Sequence, residues 1–534
     1  MPHTSRPYAS IFVLMSFAAI IIVGCTSRTP PAKPATADDT GGGEKPPASA
    51  SPPLANSKPL ANFPDDLAGV LLISGEMIGY TEPCGCTSGQ SGGLMRRMIF
   101  TDLVSTERKW PLALIDLGSL INDPSGPHGG AEQTKIKFET ILKALTMLKY
   151  SAIALSPDDL KLGAVELLIR ALNTLPGDDA APKFVCANVT PSDETFSSRI
   201  RPSVRTSVGS VKIGVTAVLD PEAFAKIKDS EKEAVFKVQA PEAALPGVLA
   251  DLEKDTDVQV LMVQGPPAMA KRLGLEYPGF DIVVATSEFV SPKDRPETLH
   301  GGKTLLVSAG RKGQYLAAIG LPKDPTKEKL FHRIELNDRY DKYKSRGEPM
   351  RKLIHEDFVA DLKSADVVST YPKHAYAWQG KNTEATYVGA ETCKQCHPNT
   401  FNKWFSTKHA QAYEPLVQKN READADCVRC HTTGFAYESG FSSAEQTGFL
   451  KGNQCENCHG PASKHIEAPD DLAIRKSIAR SAEEFNKELR CIACHDEDNA
   501  PHGFDFATMW PKIMHSKIDV YTDPKVHQGV KASR

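Results

Sequence analysis

Short apolar runs separated by turn residues dominate the chain between residues 63 and 335. They fall at Val70–Ile73, Leu112–Asp116, Ala152–Leu155, Phe184–Val189, Val211–Val218, Val258–Val263, Ile282–Ala285 and Thr304–Ser308, and each predicts a β-strand. Helical periodicity intervenes between several of them. Ile136, Phe138, Ile141, Leu142, Leu145 and Leu148 form one stripe; Val165, Leu168, Ile169 and Leu172 form a second. This alternation predicts an α/β domain rich in strands. The pattern changes on both sides of it. Residues 26–62 are Pro, Ala, Ser, Gly and Lys with almost no large apolar side chain, the composition of a flexible tether. Residues 336–385 are charged and aromatic, with Tyr340, Tyr343, Tyr371, Tyr376 and Trp378, and read as a connector packed along both flanking domains. Residues 386–534 hold few periodic apolar segments, so an ordinary aliphatic core is not expected there.

Cysteine spacing explains how such a region folds. Four runs repeat Cys-x-x-Cys-His: Cys393, Cys396, His397; Cys427, Cys430, His431; Cys455, Cys458, His459; and Cys491, Cys494, His495. This is the attachment signature of c-type haem. Two thiols three residues apart bond one porphyrin, and the adjacent histidine is the proximal ligand to its iron. Against 12 Cys and 15 His in 534 residues, chance supplies only about 0.01 copies. Zinc ligation and a thioredoxin-like pair also use Cys-x-x-Cys, but neither places histidine after every pair. Four covalently bound haem c groups are therefore expected. Their porphyrins supply apolar surface that the sequence lacks. The formal net charge of −3 does not suggest a nucleic-acid partner.

The N-terminus reads as an export signal. Arg6 precedes a thirteen-residue apolar run, Ile11–Val23, too short to span a bilayer. The run ends in Ile22-Val23-Gly24-Cys25, which resembles the bacterial lipoprotein lipobox. That resemblance makes residues 1–25 a lipoprotein signal peptide and lipobox, and implies cleavage just before Cys25, lipidation of Cys25, and anchoring on the periplasmic side of a bacterial membrane. An ordinary cleaved signal peptide is the alternative. Either agrees with haem attachment outside the cytoplasm.

The haem motifs, with the segments Trp404–Ala410, Thr432–Phe435, Gly460–His465 and Met514-His515, resemble the cytochrome c-554 family of tetrahaem electron carriers over about residues 387–517. The resemblance implies that three irons take a second, distal histidine: His465 for the first motif, His409 for the third and His515 for the fourth. His502 is a rival for the fourth. It also implies an open iron at His431. Paired histidines fill the iron and suit electron transfer between redox donor and acceptor proteins. An open iron permits the alternative, a redox enzyme acting on a small nitrogen or sulfur species.

Residues 63–335 carry short stretches resembling the bacterial 5′-nucleotidase and metallophosphatase domain: Gly92-Gly93-Leu94 with Arg96, Leu114–Gly118, Ala187–Val189, Val211–Val215, and Ser308–Gly310 with Gly313–Leu316. The implied fold is a β-sandwich with flanking helices. The family's metal ligands are missing. Glu76 and Ile78, Ser119, Pro157-Asp158, Val263-Gln264 and Ser287–Phe289 occupy their places, a set that does not support a two-metal phosphatase. Glu76, Asp158, Asp159 and Glu288 are expected to be solvated, or else a remnant acidic site. Cys84 and Cys86, in the glycine-rich loop after the first strand, are either structural, with a cross-link to Cys186 as one form, or a reactive redox pair. The expectation is thus an α/β metallophosphatase-like domain followed by a mainly α-helical tetrahaem cytochrome c domain at residues 386–534.

Overall fold

The computed structural model describes residues 59–83, 89–124, 129–177, 181–193, 199–324, 326–378, 381–382, 384–479, 481–487, 491–500 and 503–515. Cys25, Cys84, Cys86 and His502 lie outside these residues.

The strands of the N-terminal region are β1 (Leu67–Ser74), β2 (Leu112–Asp116), β3 (Ala152–Ala154), β4 (Lys183–Val185), β5 (Val189–Pro191), β6 (Ile200–Arg201), β7 (Ser203–Val208) and β8 (Val211–Leu219). They continue as β9 (Phe236–Val238), β10 (Val258–Gln264), β11 (Ile282–Ala285), β12 (Glu297–Leu299), β13 (Thr304–Val307), β14 (Tyr315–Pro322) and β15 (Leu330–Glu335). One sheet runs β15-β14-β1-β2-β3-β4-β6; a second runs β12-β13-β11-β10-β8-β7. Strands β1, β2, β3, β4 and β6 are parallel, with β14 antiparallel beside β1. Parallel strands are covered on both faces, and every residue of β1 and β10 is buried.

The sheets pack against each other through Leu71, Ile73, Ile115, Val215, Val260 and Ile319. The first sheet's other face is covered by the helices Leu94–Leu103, Gly130–Met147 and Ala164–Thr174, through Ile99, Phe138, Ile141 and Leu168. Helices Pro241–Leu252 and Pro267–Glu276 cover the second through Leu245, Ala270 and Leu273. The architecture is an α/β sandwich with flanking helices.

Two local expectations are corrected. Helix Ala164–Thr174 buries Ala164, Leu167, Leu168 and Ala171, while Ile169 is 43% exposed. Small alanines face the packed side, so a search for large apolar residues misplaces the stripe by about one position. The run Phe184–Val189 is not one strand: β4 and β5 belong to different sheets. Asn188 breaks it, because its side chain both accepts from the Leu219 N–H (2.9 Å) and donates to the Leu219 carbonyl (2.8 Å).

The connector forms short helical segments over Asp338–Ser364. Its Phe358, Leu362 and Val367 share one apolar cluster with Ile136 of the α/β domain and Tyr413, Phe435 and Phe441 beyond it. From Tyr387 onward the chain is short helices, including Ala390–Lys394, Pro398–Phe405, Ala425–His431, Cys455–His459, Leu472–Ile478 and Phe506–Ile513. Between Gly460 and His515 the buried apolar side chains, among the described residues, are Pro461, Ala462 and Phe485. No described helix is long and apolar enough to cross a membrane.

Candidate haem sites

Each Cys-x-x-Cys-His run forms about one helical turn, which sets its cysteines side by side and closes on the histidine. His397 N–H donates to the Cys393 carbonyl and His495 N–H to the Cys491 carbonyl, both at 2.9 Å. The other two runs lie in the helices Ala425–His431 and Cys455–His459. Asp424 caps the former by accepting the Asp426 N–H at 3.1 Å. Gly460, at φ 84°, ends the latter in the left-handed region that favours glycine.

Three motif histidines face a histidine from elsewhere. The ring centroids of His397 and His465 are 6.4 Å apart, those of His459 and His515 5.8 Å, and those of His495 and His409 6.1 Å. A metal–imidazole bond is about 2.0 Å. The ring centre lies about 1.1 Å beyond its nitrogen, so two imidazoles trans on one iron hold their centroids about 6.2 Å apart. All three pairs have that spacing. His431 and His459 engage backbone carbonyls through Nδ1, of Ala412 and Ile478 respectively, the latter at 2.8 Å. That contact places the proton on Nδ1 and makes Nε2 the donor nitrogen.

The distal assignment changes. His465 stands against the first motif, as the resemblance implies. His409 stands against His495 rather than His459, and His515 against His459 rather than His495. The cause is the route of the chain. The His409 carbonyl accepts the Asn453 N–H at 2.9 Å, which pins His409 beside the start of the third motif while its ring reaches the fourth.

The motifs are also tied to each other. Cys393 stands beside Cys455 and Cys430 beside Cys494, so the first motif adjoins the third and the second adjoins the fourth. A cavity of about 480 Å³ is lined by Cys393, Cys396, His397, Cys455, His459 and His465, among others. That is the size of a cofactor site. The thiols, the facing imidazoles and this apolar space fit haem c.

Residues inside the motifs serve as braces that spacing did not reveal. Glu456 is buried, and its carboxylate accepts the N–H groups of Val388, Gly389 and Ala462 at 2.8–3.1 Å. Burial raises its pKa, against the pull of those donors. Gln454 accepts the Ala390 N–H at 2.6 Å, and Asn457 donates to the Thr432 carbonyl at 3.0 Å.

The α/β domain grips the second and fourth motifs. Gln133 donates to Asp424 (2.7 Å) and Asp426 (3.2 Å) and accepts the Ala425 N–H (2.8 Å), so it holds the start of the helix that carries Cys427 and His431. Lys137 pairs with Asp426. Arg421, 6% exposed, pairs with Glu82 and with Asp424 (3.4 Å). Burial opposes ionisation of Glu82, but His355 and Arg421 outweigh it and hold that carboxyl below the usual range. Past the fourth motif, the Asp498 carboxylate accepts the Tyr80 hydroxyl and pairs with Lys312, and its carbonyl accepts the Gln90 side chain at 2.5 Å. Glu82 and Gln90 flank the glycine-rich loop of the sequence.

Of the four acids expected to be solvated, Glu288 is exposed and Asp158 part-exposed, but the other two are not. Glu76 and Asp159 are buried, and burial pushes each to a pKa of about 7. Glu76 accepts the Ser287 N–H at 2.6 Å; Asp159 accepts those of Leu120 (2.7 Å) and Ile121 (3.1 Å). Asp116 accepts Ser74 (2.5 Å) and the Gly118 N–H (2.8 Å) and faces Arg97. These carboxylates hold loops, and the donor set does not fit a two-metal centre. Cys186 is a buried thiol that donates to Asn188 Oδ1 at 3.3 Å; Cys84 and Cys86, the partners considered for it, lie outside the described residues.

Residues 392–460 match the family described as cytochrome c554 and c-prime. Cytochrome c-554 of Nitrosomonas europaea is 30% identical over 142 residues, which cover 22% of this chain and 60% of that relative. The C-terminal region thus resembles c-type haem cytochromes, over part of that relative's length. Solved structures similar to the chain include a 5′-nucleotidase precursor from Thermus thermophilus, with a TM-score of 0.43, 16% identity, and coverage of 58% of this chain and 61% of that one. Another is the NAD nucleotidase of Haemophilus influenzae, with a TM-score of 0.42, 12% identity, and coverage of 57% and 69%. A third is the calcineurin-like phosphoesterase YfkN from Bacillus subtilis, with a TM-score of 0.40, 16% identity, and coverage of 53% and 99%.

Proposed function

We propose that this chain is an exported tetrahaem c-type cytochrome that carries electrons between redox proteins, tethered to a membrane by lipid on Cys25. The supporting observation is the set of three facing histidine pairs, each joining one Cys-x-x-Cys-His histidine to one from outside the motifs. Haem c supplies reversible one-electron exchange at iron. The chain's own part is to hold and orient. Cys393, Cys396, Cys427, Cys430, Cys455, Cys458, Cys491 and Cys494 fix the porphyrins. His397, His431, His459 and His495 are the proximal ligands, and His465, His515 and His409 are distal ligands to the first, third and fourth. With both histidines of a pair bound, those three irons would have no position left for a substrate. The α/β domain acts as a rigid mount for the cytochrome region rather than as a phosphohydrolase, because its buried acids are engaged in holding loops.

Mass spectrometry of the mature protein tests the cofactor count, and four haem additions per chain are expected. Electron paramagnetic resonance should show low-spin iron at three sites. Fewer than four haems, or a predominantly high-spin spectrum, overturns the reading. Replacing Cys25 by Ala should move the protein from the membrane fraction to the soluble one.

A further inference from the structure

One segment of the C-terminal region combines exposed aromatic surface with an excess of positive charge. From Gly389 to Ala410 the chain carries Lys394, Lys403 and Lys408 against one acid, Glu391. Lys394, half-exposed, lies 3.5 Å from that glutamate. Phe405 is 59% exposed at the end of the helix Pro398–Phe405, and its ring stacks at 5.8 Å on buried Phe401. Lys394 Nζ sits 4.7 Å from the centre of the same Phe401 ring. Phe449, 57% exposed, lies against Gly389 at the other end of the segment. Trp404 anchors the helix by donating to the Asn453 carbonyl at 2.9 Å. The exposed phenylalanines therefore stand on a fixed base. The helix follows His397 directly, and His409 closes the segment, so these thirteen residues carry ligands toward the first and the fourth irons. The α/β domain, meanwhile, is engaged at Arg421, Asp424–Asp426 and Asp498.

We propose that the lysine-rimmed face around Phe405 is the docking surface for an acidic one-electron donor protein; this rests on the electron-transfer reading above. An apolar centre bordered by an excess of one charge is the pattern of a transient redox interface, where the rim steers approach and the centre excludes water. The positive face also stands out on a chain of net charge −3, which makes an acidic partner the complementary one. The step is a single electron transfer: the donor is oxidised by one electron, one ferric iron of this chain is reduced, and no bond forms or breaks.

Flavodoxin, an acidic flavoprotein, is a suitable probe. In the full-length holoprotein, the triple variant Lys394→Glu, Lys403→Glu, Lys408→Glu should bind oxidised flavodoxin about tenfold more weakly by calorimetry at low salt. Its reduction by flavodoxin hydroquinone in stopped flow should slow by about tenfold or more and lose the normal fall with ionic strength. Phe405→Ala should weaken binding without altering the salt dependence. A matched reversal at Lys254, Lys271 and Lys303 of the α/β domain should change neither readout. Reduction by photoreduced lumiflavin, a small neutral donor, should be the same in every variant. If lumiflavin leaves the irons ferric, the electron-transfer reading itself falls. If lumiflavin reduces them and the Lys394/Lys403/Lys408 variant matches the unsubstituted chain or the control, only the docking surface is overturned.

Discussion

Replacing His409 by Ala removes one ring of the pair whose centroids lie 6.1 Å apart. The separation matches the roughly 6.2 Å that two imidazoles on one iron require, and alanine has no atom that reaches the metal. One iron of the four proposed should therefore pass from low to high spin while the other three keep their state. Spin quantitation of the oxidised protein by electron paramagnetic resonance reads this as a gain of about one high-spin iron per chain. Added imidazole should reverse it by refilling the position. The assignment to the fourth motif is tested by removing that motif's attachment with Cys491→Ala and Cys494→Ala. In that background His409→Ala should add no high-spin iron, because its partner site is gone. In a background of Cys455→Ala and Cys458→Ala the gain should persist. The opposite outcome, silence in the third-motif background and a gain in the fourth, restores the order implied by family resemblance and refutes the structural pairing. No gain in either background refutes ligation by His409.

Other consequences follow from burial and charge. Arg421→Met should destabilise the contact between the α/β and cytochrome regions by about 1.5–3 kcal/mol, because it takes a charged partner from buried Asp424 and leaves part-buried Glu82 with His355 alone; faster proteolysis in the connector and a lower melting temperature would show it. Asp159 has a pKa raised to about 7 by burial, so the folded state holds a proton that the unfolded state releases near pH 4. Its contribution to stability is therefore greatest below about pH 4 and falls as pH rises toward 7, by up to roughly 4 kcal/mol. Asp159→Asn keeps the shape and should flatten that part of the profile in denaturant titrations between pH 4 and 8. Protein made without haem attachment should keep a protease-resistant core over residues 63–335 and lose residues 460–515, where Pro461, Ala462 and Phe485 are the described buried apolar side chains.

Much of the α/β domain was legible because central parallel strands are apolar throughout. Val70–Ile73, Val258–Val263 and Ile282–Ala285 all lie within observed strands. The edge strands β7 and β15 were not, since their half-exposed faces admit Arg, Thr, Ser and His and dilute the pattern. The acids of the degenerate site were misjudged for a related reason. Sequence shows a carboxylate without a metal motif, but not the backbone N–H groups that take Glu76 and Asp159 inside.

The haem motifs belong to the other extreme. Covalent attachment needs two thiols and an imidazole within five residues, a local requirement that one helical turn meets, so all four Cys-x-x-Cys-His runs proposed as attachment sites are legible in the sequence alone. A distal ligand has no such constraint. His409, His465 and His515 need only reach the correct ring through space, and their order along the chain does not encode which one. Packing of the 409–453 contact decided that His409 meets His495 and His515 meets His459. Tertiary structure likewise decided that the α/β domain grips the second and fourth motifs, because Gln133, Lys137, Tyr80 and Lys312 become one surface only after the sheet has brought distant segments together.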